Sequence, residues 1–269
     1  MNILKWELKR GFKSLIIWIL FIVGIQFMYS ALFPSFAGEN SLFSSKLQLL
    51  PKAFLKIFGV DRIDFSDILH FFAMQGQIWI FLFATFYLTR LSSSIFVKEE
   101  HDKTIEFLLS RPISRDRYIV EKFLSFTVFL VLYDGIITLS LLALFNKYKV
   151  KPFDIQLFWK IVIYYWAVHI FMSTVGIVFS VVSRKRTVAD TGTFFVLGFS
   201  YVLALIARVY EKYNYLKNFT PFGIFDPTDL IKGSSANTFY ISAFFVVLSI
   251  YLGSLIFSLY YYRMKDIYI

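Results

Sequence analysis

The chain has 269 residues, 58% of them hydrophobic and 21% aromatic, with a mean hydropathy of +0.64 and a formal net charge of +10. Soluble domains are about 45–50% apolar, and here the apolar residues gather in blocks of about 20, the length that crosses roughly 30 Å of hydrocarbon, so a water-soluble globular protein is excluded. Lys and Arg fall mostly between those blocks, which assigns the positive charge to anionic headgroups and membrane orientation rather than to nucleic acid. The absence of cysteine excludes disulfides, thiol catalysis and cysteine metal sites, and the three histidines are too scattered for a zinc site.

Residues 1–14 (MNILKWELKRGFKS) place Leu4, Leu8 and Phe12 on one side of a helix, with Lys5, Lys9 and Lys13 beside them. Such a helix is expected to lie along the inner surface, apolar face down, its lysines toward headgroups. The apolar run at 15–33 exceeds the roughly 7–15 residues of a signal-peptide core, so it reads as an uncleaved first span ended by Pro34. An extracellular loop follows at 34–67. Within it LQLLPKAFLKIFGVD, Leu47 to Asp61, carries Leu50, Phe54, Ile57 and Phe58 on one face and is expected to form a second interfacial helix. The second span is expected at 71–91.

The longest run that cannot sit in hydrocarbon is VKEEHDKTIEFLLSRPISRDRYIVEK, at 97–122. In its first part Ile105, Leu108 and Leu109 recur at helical spacing beside Glu99, Glu100, Asp102, Lys103 and Glu106, which predicts an amphipathic helix of about three turns from Lys98 to Ser110. Pro112 is expected to stop it, Ser114 to cap the next helix, and Asp116 to suit that helix's positive end. From spacing alone, a lever joining two spans and a charged loop that merely obeys topology rules both remain open.

Further spans are expected at 123–145, 157–182, 191–209 and 239–262, with a second outer loop at 210–237. With six spans, the larger and denser share of Lys and Arg, including Arg184, Lys185, Arg186, Arg263 and Lys265, lies on the side of the N-terminus, which puts both termini inside. The predicted fold is therefore an all-α integral membrane protein with a single transmembrane domain over residues 1–269.

No glycine is followed by lysine, so the chain carries no phosphate-binding P-loop, and no hydrolase constellation appears. Asp134 is the acidic residue near mid-depth of a span, and His169 is the other ionisable candidate there. A charge at that depth costs at least about 2.5–3.5 kcal/mol. Two readings fit Asp134: a substrate path or proton relay, and a buried hydrogen bond that holds helices together. Small residues at Ser173, Gly176 and Ser180, and at Ser249 and Gly253, predict close helix packing, within the chain or across a dimer.

The order of these features resembles the membrane subunits of bacterial ABC exporters of the type-2 permease class. The resemblance rests most on Glu100 and Thr104 to Lys122, where the family shows an acidic residue, a Thr-x-Glu-x-Leu-Leu run, a Pro-x-Ser-Arg turn and a lysine, and also on PFGIFDP, Pro221 to Pro227. One departure is Lys103, where the family often has glycine. The resemblance implies six spans, an elbow helix at 1–14 and a second permease copy in a homo- or heterodimer. It also implies separate ATPase subunits that bind ATP and Mg; no cofactor is expected on this chain. On the same grounds the 97–122 region contains the coupling helix, with Glu99, Glu100, Thr104, Ile105, Glu106, Leu108, Leu109, Arg111, Pro112 and Arg115 as the docking residues. The implied location is the bacterial cell membrane and the implied activity is export. A non-transporting partner of an ATPase and an ion-coupled transporter using Asp134 are the alternatives.

Overall fold

The computed structural model describes residues 3–37, 66–105, 113–231 and 237–265, and every regular element among them is helical. The expected interfacial helix at Leu47 to Asp61 lies outside the described residues. Helix α1 (Ile3–Phe36) is a single element of 34 residues, about 51 Å long at 1.5 Å per residue. The expected surface helix and first span are thus one unbroken helix: no proline falls at the junction, and Gly11 there stays helical where it packs closely on Phe129, a Cβ falling 2.5 Å from the ring. Pro34 does not end it as expected; it lies in the last turn, and the helix runs on to Phe36. The covered face begins with Ile3 and Glu7, while Phe12 is exposed.

Residues 68–94 are helical throughout, in three pieces: α2 (Ile68–Gly76), a π-helical segment (Gln77–Ala84) and α3 (Thr85–Ser94). The short helix α4 (Val97–His101) follows at once. Its first amides are capped from another helix, since Ser180 Oγ accepts from Phe96 N at 2.9 Å and Val97 N at 3.2 Å. The three-turn helix expected from Lys98 to Ser110 is interrupted at this point. Lys103 takes a φ of 54°, its amide donates to Glu100 O, and the Thr104 amide donates to Glu99 O at 2.9 Å. That pair of bonds is the Schellman ending of a helix, in which the left-handed residue is usually glycine.

Helices α5 (Arg115–Tyr148), α6 (Ile155–Val182) and α7 (Arg186–Val209) come next. A 3-10 helix (Glu211–Phe219), two short helices α8 (Pro221–Ile224) and α9 (Pro227–Ile231), and the long α10 (Asn237–Met264) complete the described chain. Ser114 caps α5 as expected, accepting from Arg117 N at 3.2 Å. Five helices, α1, α5, α6, α7 and α10, are long and apolar enough to cross a membrane. The core sits around α6: 72% of its most apolar window is buried, against 22% for α1 and α10. Close approach requires Gly176 there, since a Cβ would fall 2.0 Å from Ser92 Oγ and 3.1 Å from Ser93 N on α3. Gly253 on α10, by contrast, has open space around it.

The two ends of the bundle are built differently. At one end aromatic rings interlock: Phe33 with Phe71, Phe72 with Phe145 and Tyr165, and Phe145 with Phe158. The α8–α9 turn dips into that end, burying Phe222 against Phe81 and Tyr201, and Phe225 against Tyr164. At the other end polar groups gather. The left-handed Lys103 gives a stability prediction: replacement by glycine removes a strain of about 1 kcal/mol. Lys103→Gly should raise the thermal unfolding temperature of the purified chain in detergent, and Lys103→Val should lower it.

Candidate functional site

The polar end collects the start of α1, all of α4, the start of α5, and the C-terminal ends of α6 and α10. At its centre Lys122 has no solvent exposure. Its Nζ lies 2.7 Å from Glu7 Oε1 and 2.6 Å from Glu99 Oε2, and donates to Ile95 O at 2.9 Å. Lys98 pairs with the other oxygen of Glu7. Tyr118 donates its hydroxyl to Glu99 at 3.0 Å and stacks on Tyr262 with centroids 5.5 Å apart. Two lysines and two glutamates thus cancel in a buried place, the arrangement in which removal of one partner costs far more than the pair contributes.

Three clamps surround this cluster. Glu121 Oε2 accepts from the amides of Ile3 at 2.6 Å and Leu4 at 3.1 Å, placing a carboxylate on the positive end of α1. Arg115 donates to the carbonyls of Tyr262, Arg263 and Lys265 at the C-terminal end of α10, and Asp116 receives a bidentate pair from Arg263 at 2.8 and 2.6 Å. Lys265 bonds Glu100 at 2.9 Å and donates to Val181 O and Ser183 O where α6 ends. Burial pushes the amines of Lys98 and Lys265 below the ordinary lysine range. For Lys98 the neighbouring Lys122 adds to the fall while Glu7 and Glu99 resist it, and for Lys265 Glu100 resists it.

The second polar centre lies within the spans. His169 Nδ1 is 2.7 Å from Asp134 Oδ1, and Nε2 is 3.2 Å from Ile80 O in the π segment. A backbone carbonyl only accepts, so Nε2 carries a proton and donates it. One further proton then lies between Nδ1 and Oδ1, and whichever side holds it the dyad is neutral overall, which removes most of the cost of placing it at this depth. Beside it is a cavity of about 10 Å³, lined by Thr138, Tyr165 and Trp166 among others. That is room for one water at most.

A family model described as ABC-2 family transporter protein matches residues 1–266. The chain belongs to this family. Comparison with curated proteins returns no match. As a member of the ABC-2 family it is a membrane permease subunit of an ABC transporter and associates with ATPase subunits and a membrane; subunits of this kind are generally non-catalytic.

Within this ABC-2 permease, the residues singled out in sequence are brought partly together. Glu99, Glu100 and Arg115 are all bound inside the chain, and Ile105 is buried in its core. Thr104 is exposed, together with His101, Asp102 and Lys103. Glu106, Leu108, Leu109, Arg111 and Pro112 lie outside the described residues. Asp134 and His169, the two ionisable candidates of the spans in sequence, are direct partners. Sequence reasoning missed Glu7, Lys98, Lys122, Tyr118 and Lys265 as one network. The available signal was Glu7 itself, a lone carboxylate in an otherwise basic N-terminal segment.

Removing the central lysine tests the cluster. Lys122→Met leaves two buried glutamates facing only Lys98 and should cost about 3–5 kcal/mol, read as a lowered unfolding temperature in detergent. Adding Glu99→Gln restores one lysine per glutamate and should recover part of the loss.

Proposed function

We propose that the chain is the permease subunit of an ATP-driven exporter in the bacterial cell membrane, and that the polar end of the bundle is its cytoplasmic, ATPase-facing side. Six segments cross the membrane in this reading: the five long helices and the 68–94 stack, whose pieces contribute 9, 8 and 10 residues. Parity supports the count. Ile3 and Lys265 both bond to the first turns of α5, and chain ends on one face require an even number of crossings. The concentration of Lys and Arg on that face supports a cytoplasmic location for both termini.

The observation that carries the proposal is the mounting of α4. Its exposed tip, His101 to Thr104, projects from a root locked into the ion cluster. A displacement imposed on this region passes through Glu99–Lys122 to α5, through Lys98–Glu7 to α1, and through Glu100–Lys265 to the ends of α6 and α10. Two permease copies above two ATPase subunits would then alternate between inward and outward states. ATP, with Mg, binds the partner subunits, and its binding energy biases the membrane equilibrium only through contacts that differ between the two states. Residues 97–122 supply those contacts.

Replacing Leu108 and Leu109 with aspartate should abolish co-purification with the ATPase while membrane insertion persists. A complex that survives both changes rules out this docking surface.

The dyad bears on the ion-coupled alternative. Asp134 Oδ1 pairs with His169 and His169 with the π segment, while Asp134 Oδ2 has no hydrogen-bond partner among the described residues; the adjoining cavity is too small for cargo, which favours a structural role. Asp134→Asn keeps a hydrogen bond to His169 and should fold normally with unaltered transport. Loss of transport in a normally folded Asn variant would instead make the dyad a proton relay.

A further inference from the structure

Between α1, α3 and the first turn of α7 lies a cavity of about 170 Å³, lined by Ser14, Trp18, Tyr87, Arg90, Ser94 and Arg186. Arg90 is exposed and has no ion-pair partner among the described residues. Arg186 stands 3.5 Å from Asp190, and Asp190 also accepts from Ser93. Two guanidinium groups against one carboxylate leave a net charge of one positive unit. The position along the membrane normal follows from helix geometry. Arg90 precedes Lys98 by roughly 12 Å of helix and Ser14 follows Glu7 by roughly 10 Å, so the cavity is set back from the buried ion cluster toward the bilayer.

On the far side of the arginines the surface turns apolar. Trp18 packs on Phe86, and Phe86 stacks on Phe194 with centroids 4.6 Å apart. Ile17, Phe21 and Phe195 beside them are exposed. A basic, hydroxyl-lined cavity therefore adjoins a half-buried aromatic strip edged by exposed apolar side chains.

We propose that this cavity binds the phosphodiester headgroup of an anionic phospholipid, whose acyl chains lie along the Trp18–Phe86–Phe194 strip. Three features select that ligand. The guanidinium fork matches two phosphate oxygens, and such charge-assisted pairs are the strong ones. The Ser14 hydroxyl adds a polar group at the rim, whereas Ser94 Oγ already donates to Leu91 O at 3.2 Å. The single surplus positive charge balances a phosphodiester monoanion, whereas a zwitterionic headgroup brings its own cation and a phosphomonoester dianion leaves one charge uncompensated. The site rests on the amphiphilic order of these residues and not on the exporter reading, so it stands or falls separately.

The test uses the full chain, purified, delipidated and monodisperse in detergent, titrated with phosphatidylglycerol and phosphatidylcholine and read by native mass spectrometry. Phosphatidylglycerol should be retained about tenfold over phosphatidylcholine, equivalent to about 1.4 kcal/mol. The Arg90→Gln, Arg186→Gln double variant should lose that preference, and Lys147→Gln at the opposite end should keep it. Arg90→Lys, which retains charge but not the fork, serves if the double variant does not fold, and it should weaken the preference. Inorganic phosphate at millimolar concentration should not displace the lipid. Equal retention of the two lipids by the wild type, an unchanged preference in the arginine variants, or displacement by inorganic phosphate would overturn the proposal. So would arginine variants that dissociate a dimer without altering lipid retention, since the cavity would then be a contact between two copies.

Discussion

Lys122 holds an ammonium group at a position with no access to solvent, and most of the geometry at the polar end keeps that charge answered. Glu7 reaches it from α1, Glu99 from α4, and the carbonyl of Ile95 turns toward it where α3 ends. Each of these elements would tolerate small sliding if packing were purely apolar, because dispersion contacts are shallow and non-directional. Ion pairs under 3 Å in a desolvated place are neither. A displacement of one helix end relative to another exposes or orphans a charge, at a penalty of several kcal/mol per ion. The registers of α1, α4 and α5 are therefore tied to one another at this face.

The opposite end has a different mechanical character. There the interlocked Phe and Tyr rings and the dipping α8–α9 turn fill space without fixing charges, and Arg208–Asp226, at 2.6 Å, is the closest ion pair among the described residues of that end. Aromatic packing of this kind can exchange one edge-to-face arrangement for another at low cost. In an ABC-2 permease, one stiff end and one repackable end would suit a machine in which input and output lie at opposite ends, with the stiff end toward the ATPase in the orientation proposed above.

Much of this architecture was legible in the sequence because hydrophobic run length is so direct a signal in a membrane protein. Spans 123–145, 157–182 and 191–209 fall inside α5, α6 and α7, and the Ser114 cap and the close approach at Gly176 follow from local chemistry. Helix boundaries were harder. Nothing in a heptad pattern says that a surface-type segment at 1–14 will continue straight into the following apolar run, and the left-handed ending at Lys103 hides behind a residue that does not favour it. The ion network was least legible: its members, from Glu7 to Lys265, are distant in sequence, and Glu99 reads as a charge on a docking helix and Lys122 as the end of a motif until the helices bring them together. The π segment at Gln77–Ala84 likewise has no compositional mark, being an apolar run like any other.

The clamps on α5 also bring Ile3 and Lys265, far apart in sequence, to one face of one helix. Glu121 holds the amide of Ile3 and Arg115 holds the carbonyl of Lys265, and these two anchors are six residues, or about 9 Å, apart along one helix. A short covalent bridge could therefore join Lys265 to Ile3 without disturbing the bundle. A circular permutation of residues 3–265, opened in the loop between α5 and α6, would encode the same arrangement of helices with its new ends on the aromatic side.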